Sequence, residues 1–194
     1  MGVPSIEALR SLIDRMTAWA KYMNVVDFMI STDNPYISPT ARYTVFYKGD
    51  LEGADDVLTR LQSACTLGRI WGFDDCDCQS QLLRSFNLLE NEDKGLLIYC
   101  NDDHGKGVGL INHAKSLVVE KFKKLDEDSA RAYLGLEDLR DYKPAITIMG
   151  YFGIKSIRLL TNNASKLYVF EEYSIPAKKV ELVTSRNHFN ASIV

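Results

Sequence analysis

From Asp55 onward the sequence alternates between strand-like and helix-like stretches, and that alternation limits the fold more than any other feature. "DDVLTRLQSAC" (55–65) reads as a strand running into a cysteine. "CQSQLLRSFNLLENED" (78–93) reads as an amphipathic helix, with Leu82, Leu83, Phe86 and Leu89 on one face. "KGLLIYC" (94–100) is a short buried strand ending in Cys100, which is expected to be a core residue. A glycine-containing loop then opens another helix, and "DEDSARAYLGLEDLRDY" (126–142) is expected to be helix plus loop. "PAITIMGYFGI" predicts a helix, "SIRLLT" (156–161) a strand, and a polar turn leads into a last helix. Upstream, "VVDFMIST" and "ARYTVFYKGD" are rich in β-branched and aromatic residues and predict two strands, with a proline-containing turn between them. Alternation of this kind predicts an α/β (mixed α+β) fold.

Before the first strand, residues 4–23 place Ile6, Leu9, Leu12, Ile13, Met16, Trp19, Ala20 and Met23 at helical spacing. Pro4 and Ser5 suit the helix start, and the apolar stripe is expected to be a packing face. The expected organisation is residues 1–35 as an N-terminal helix and first strand, then a single domain over 36–190. A chain of 194 residues buries roughly 70% of its unfolded surface, enough for a real core.

Charge and hydropathy exclude several functions. The net charge of −3 gives no global attraction for nucleic acid or an anionic membrane, so neither is expected as a partner. No apolar run approaches the roughly 20 residues of a membrane span. The first residues lack the pattern of a secretory signal, so a cytoplasmic location with reduced thiols is expected.

Three of the four cysteines fall within "ACTLGRIWGFDDCDC": Cys65, Cys76 and Cys78. A disulfide between Cys76 and Cys78 would close a tight, strained ring. Three thiolates suit zinc, with a fourth position left for water, as in catalytic rather than structural sites. The spacing alone leaves that reading and a chance group of core cysteines equally open. Gly105, Gly107 and Gly109 allow close backbone approach before a helix, but they form neither a Walker A loop nor GxGxxG.

The order "RLQSAC", ten residues, "CDC", then "QLLRSF", "KGLLIY", "HGKGVGLINHAKSL", "LGLEDLRDY" and "SIRLLTNNASK" resembles the GTP cyclohydrolase II family over roughly residues 40–187. The resemblance implies a fold of that type with an added N-terminal helix, and a homodimer. It also implies zinc held by Cys65, Cys76 and Cys78, with water as fourth ligand, for attack on the imidazole carbon of GTP or a related purine nucleotide. Asp138 matches a proton acceptor, and Arg140 the arginine acting at the α-phosphate, where pyrophosphate leaves. Arg60, Ser63, Gln81, Thr161 and Lys166 match substrate contacts. Lys106 stands where the family loop has arginine, and His104 where it has glutamate. Magnesium is implied with the substrate phosphates.

The departures lie close to the chemistry. Gln62 replaces a histidine, Ala64 a glutamate and Asp75 an arginine, while Glu127 falls near a threonine contact. Leu117 stands where the family has a catalytic tyrosine, and leucine has no proton to donate. Two functions follow: a hydrolase that opens the purine ring, with incomplete removal of the formyl group, or a non-catalytic zinc-containing homologue that binds a nucleotide or a protein partner.

Overall fold

The computed structural model describes residues 23–69 and 76–183. Except for Met23, the helix expected over residues 4–23 lies outside them, as does Asp75. Six strands form one sheet: β1 (Asn24–Ser31), β2 (Thr40–Lys48), β3 (Val57–Ser63), β4 (Gly95–Cys100), β5 (Ile157–Leu160) and β6 (Ala177–Val180). The helices are α1 (Thr66–Arg69), α2 (Cys78–Glu90), α3 (Gly109–Lys123), α4 (Glu127–Tyr133), α5 (Lys143–Phe152) and α6 (Tyr168–Glu172), with a 3-10 turn at Ala164–Leu167. The expected α/β character and element order are present. Two elements were not expected, α1 and β6, and β6 is the parallel partner of β5.

The strand order is β1-β2-β4-β3-β5-β6. β2 pairs antiparallel with β1 and β4, while β3 pairs parallel with β4 and β5. β3 is central and buried along nearly its whole length, as expected for a parallel strand covered on both faces. Its side chains divide by parity. Val57 and Leu61 join Leu96, Ile98 and Cys100 of β4 in one core, covered by Ile148 and Met149 of α5 and Phe170 of α6. Leu58 joins Leu97 in the other core, covered by Phe86 and Leu89 of α2. Gly95 leaves room where α2 crosses β4, since a Cβ there would lie 2.7 Å from Leu89 Cδ2 and displace that buried side chain.

Local signals fix the helix ends. Asp126 caps α4 by accepting from Ser129 N, and Pro144 occupies the first turn of α5. Gly153 ends α5 at φ 68°. From β3 the chain passes through α1 and α2 to β4, whereas from β5 it passes to β6 on the other side. Connections that diverge from adjacent parallel strands open a crevice at their carboxyl ends, the usual ligand position in such sheets. Among the described residues, no helix is long and apolar enough to cross a membrane.

Leu97 is fully buried between β4 and α2. Leu97→Ala should lower the unfolding free energy by about 2–5 kcal/mol through lost apolar contact and the cavity left behind. Urea denaturation with an unchanged m-value checks this.

Candidate active site

One side of the crevice is built on thiols. β3 leads through Ala64, whose N–H donates to Cys100 O at 3.0 Å, into Cys65. Cys76 and Cys78 flank the start of α2. The three sulfurs lie within 4.8 Å of one another, Cys65 and Cys76 being 3.6 Å apart, and none is in a disulfide. Hydrogen bonds from Cys76 and Cys78 draw the Cys65 thiol well below its ordinary value. The bonds of Cys78 to Cys65 and Cys76 push the Cys78 thiol far up. Sulfurs this close cannot all ionise together unless a cation is shared among them. The cluster could therefore hold a metal, and its soft donors suit zinc.

The thiol loop is anchored to the sheet by Arg60, 4% exposed. Its Nε donates to Gln62 Oε1 (3.0 Å), Nη1 to Leu160 O (2.9 Å) and Nη2 to Gln81 Oε1 (2.7 Å). Gln81 Nε2 in turn donates to Asp77 Oδ1 at 2.7 Å, between the two later cysteines. A guanidinium stays charged, so this burial is tolerable only because acceptors converge on it.

The opposite side of β3 carries anions and cations in alternation. Ser63 Oγ donates to Asp103 Oδ2 at 2.6 Å, and burial raises the Asp103 carboxyl. Arg140 holds Asp138 through Nε–Oδ1 (2.9 Å) and Nη2–Oδ2 (2.5 Å). Burial opposes the Asp138 charge, but Arg140 outweighs it and the carboxyl falls below its ordinary value. Lys166, 6% exposed, donates to Leu61 O at 3.1 Å. Its Nζ lies 5.1 Å from the Tyr142 ring centroid, and Arg140 Cζ lies 5.9 Å from it. The Tyr142 hydroxyl is buried with no hydrogen-bond partner among the described residues. Thr161, just past β5, uses Oγ1 to organise the next turn through Asn163.

The loop after β4 completes the rim. Gly105, Lys106, Gly107 and Gly109 all have left-handed φ. A Cβ on Gly107 would meet the Leu139 carbonyl carbon at 2.9 Å, and Leu139 N donates to Lys106 O at 2.9 Å. His104 and Lys106 are thereby held beside the segment bearing Asp138 and Arg140. Lys106 keeps a left-handed backbone that lysine rarely adopts, as Asp56, Lys124 and Ser174 do elsewhere. Leu117 is half-buried on α3. A shallow cleft lined by Cys100, Asp103, Leu139 and the β1–β2 turn adjoins this rim.

Several of the residues expected at a site thus lie near the carboxyl end of the central strand β3. Two others were not anticipated. Arg131 is buried on α4 and bound to Glu127 at 2.5 Å; the Glu127/Arg131 spacing on a helix was the available signal. His113 on α3 has its Nδ1 buried with no hydrogen-bond partner among the described residues. Burial lowers its pKa, against the nearby charges of Cys65 and Glu127.

The sequence profile described as GTP cyclohydrolase II matches residues 22–181. A riboflavin biosynthesis protein RibBA of Staphylococcus saprophyticus is 35% identical over 199 residues, 98% of this chain and 48% of that protein. A GTP cyclohydrolase-2 of Picrophilus torridus is 34% identical over 150 residues, 76% of this chain and 77% of that protein. RibBA of Staphylococcus epidermidis is 38% identical over 147 residues, 75% of this chain and 36% of that protein. The chain spans about half the length, or less, of these RibBA relatives. The likeness to a solved glutaminyl cyclase of an Acidobacteriales bacterium (TM-score 0.36, 10% identity, 93% of this chain and 72% of that one) is too slight to carry weight.

Burial lowers the Lys166 amine to about 7, from an ordinary 10.5. Between those values the unfolded chain binds the extra proton, so this group's contribution to stability rises with pH from 7 towards 10.5. The urea midpoint of the wild type should accordingly gain on that of Lys166→Met as pH is raised across this window. A pH-independent difference would show that the amine titrates normally.

Proposed function

The chain belongs to the GTP cyclohydrolase II family, and on that premise we propose that it is a zinc-dependent hydrolase that opens the imidazole ring of GTP or a related purine nucleotide. The observation that carries this reading is the convergence of three thiols within 4.8 Å just past the carboxyl end of β3. Cys65, Cys76 and Cys78 would hold the metal, which supplies Lewis acidity and makes a water molecule more acidic.

The remaining roles fall to the chain itself. Arg140 would engage the α-phosphate, and pyrophosphate would leave there from a triphosphate; magnesium would arrive with the phosphates. Asp138 stays ionised beside Arg140 and so can accept a proton. Arg60, Ser63, Gln81, His104, Lys106, Thr161 and Lys166 would line the nucleotide. Water added at the ring carbon opens the ring to a formamide, and a second hydrolysis releases formate. That second step expels an amine from a poorer electrophile, where a placed proton donor is worth about 10²–10⁴-fold. Leu117 provides none. The reaction is therefore proposed to accumulate the N-formyl, ring-opened nucleotide. A homodimer is part of the proposal, supported by Ile111, Val118 and Phe122, which α3 leaves exposed. A second reading, a zinc-containing homologue that binds without turnover, is favoured by Leu117 and Ala64, which remove a proton donor and a carboxylate.

Protein purified without chelator should contain about one zinc per chain, and Cys76→Ser should release it. Elemental analysis decides, and a metal-free wild type would remove the basis of the mechanism. Incubation with GTP, followed by mass analysis, should give ring-opened N-formyl product with little formate, and Leu117→Tyr should raise formate yield. Stoichiometric formate from the wild type would reject the stalled product; no ring-opened product from either protein would favour the non-catalytic reading.

A further inference from the structure

Tyr142 sits beside Arg140 and Lys166 with a buried hydroxyl that lacks an acceptor. The residue immediately precedes α5, and its half-buried ring packs against the core beneath that helix. Lys166 Nζ lies 5.1 Å from the ring centroid, and Arg140 Cζ lies 5.9 Å from it. The hydroxyl is shut off from solvent and has no hydrogen-bond partner among the described residues. A buried donor left in this state weakens the fold, and native proteins rarely keep one unless a ligand or an ordered water completes it.

The carboxylates nearby are engaged elsewhere. Asp103 Oδ2 accepts from Ser63 Oγ at 2.6 Å, and the two Asp138 oxygens accept from Arg140 at 2.9 and 2.5 Å. Asp141, which is exposed, accepts from Lys143 N at 2.9 Å. Burial pushes the Tyr142 phenol up; Arg140 opposes that shift, while Asp103 and Asp138 add to it. The phenol therefore keeps its proton and remains a donor.

The cations around it are short of negative charge. Arg60 is held by the uncharged acceptors Gln62, Leu160 and Gln81, and Lys166 donates to the carbonyl of Leu61. Arg140 meets Asp138 through Nε and Nη2, so Nη1 lies outside that pair. Burial lowers the Lys166 amine, and the charges of Arg60 and Arg140 lower it further. Cys100 and Asp103 only partly offset this, and burial holds both of them towards their neutral forms. An arriving anion would draw the Lys166 amine back to its charged state. The phenol, the ammonium and the remaining guanidinium nitrogen thus lack the same thing, an anion with several acceptor oxygens. A phosphate group is such an anion.

We propose that Tyr142 is a phosphate ligand, its hydroxyl donating to an oxygen of the nucleotide's innermost phosphate, which Arg140 engages. Which phosphate it meets rests on the role of Arg140 in the function proposed above; the missing acceptor does not. The hydroxyl destabilises the empty protein and is satisfied only when the nucleotide is bound, so affinity and stability pull in opposite directions at this residue.

The test compares the wild type with Tyr142→Phe, which keeps the ring and its contacts and removes only the oxygen. The full, zinc-loaded chain is titrated calorimetrically with guanosine, GMP and GTP, alongside mass analysis of products and urea denaturation without nucleotide. The variant should bind GMP and GTP about tenfold more weakly or worse, as loss of a hydrogen bond to a charged group predicts, with guanosine affinity unchanged. Its urea midpoint should equal or exceed that of the wild type. A lower midpoint would reveal a structural hydrogen bond and overturn the assignment, as would unchanged affinity for both nucleotides or equal weakening with guanosine. Weakening confined to GTP would place the hydroxyl on an outer phosphate and overturn it too. Nucleotide binding that depends on Tyr142 without any ring-opened product supports the ligand role and removes the proposed reaction. Ring-opened product with affinity indifferent to the substitution does the reverse. If the wild type binds neither nucleotide, both fall.

Discussion

The site depends on a positive charge placed inside a β-sheet. Arg60 projects into the layer between β3 and α2, where a guanidinium cannot shed its proton and must be met by acceptors. Those acceptors come from β3 itself, from the end of β5 and from α2. One residue therefore sets the position of α2, and through Gln81 and Asp77 that of the loop carrying Cys76 and Cys78. The change from histidine to Gln62 fits this arrangement. Its carboxamide oxygen accepts from Arg60 as a neutral imidazole nitrogen could, but with no titration of its own.

The parity of β3 separates two chemistries. Arg60 and Gln62 face the thiol side, whereas Ser63 turns towards Asp103 on the other face. In the proposed function the ring is attacked from one side of this crest and the phosphate is held from the other. The loops are tied together by bonds such as Leu139 N to Lys106 O and Asn34 Nδ2 to Gly107 O.

Much of the fold was legible because the buried strands are short apolar runs between polar turns. β6 escaped notice for a physical reason: "AKKV" has two exposed lysines, which suit a sheet edge and hide the pairing. α1 has only four residues, too few to display a period. The cysteine trio was visible as spacing, but its meaning came from the resemblance, since C-x10-C-x-C has no intrinsic geometry. The helical spacing of Arg131 to Glu127 and Asp128 shows the pairing but not the burial of Arg131 or His113, which comes from packing between helices α3 and α4. In sequence, "DEDSARAY" is an ordinary solvated helix.

The bonds around Arg60 also differ widely in the length of chain they close. Its contact with Gln81 spans 21 residues, while that with Leu160 spans 100. Closing the larger loop costs more chain entropy, and parallel pairing across it is slow. The thiol loop and α2 can come together within a local segment, but Arg60 stays short of one acceptor until β5 enters beside β3. The thiol side of the site is thus a local structure, and the side bearing Asp138, Arg140 and Lys166 draws on segments far apart in the chain.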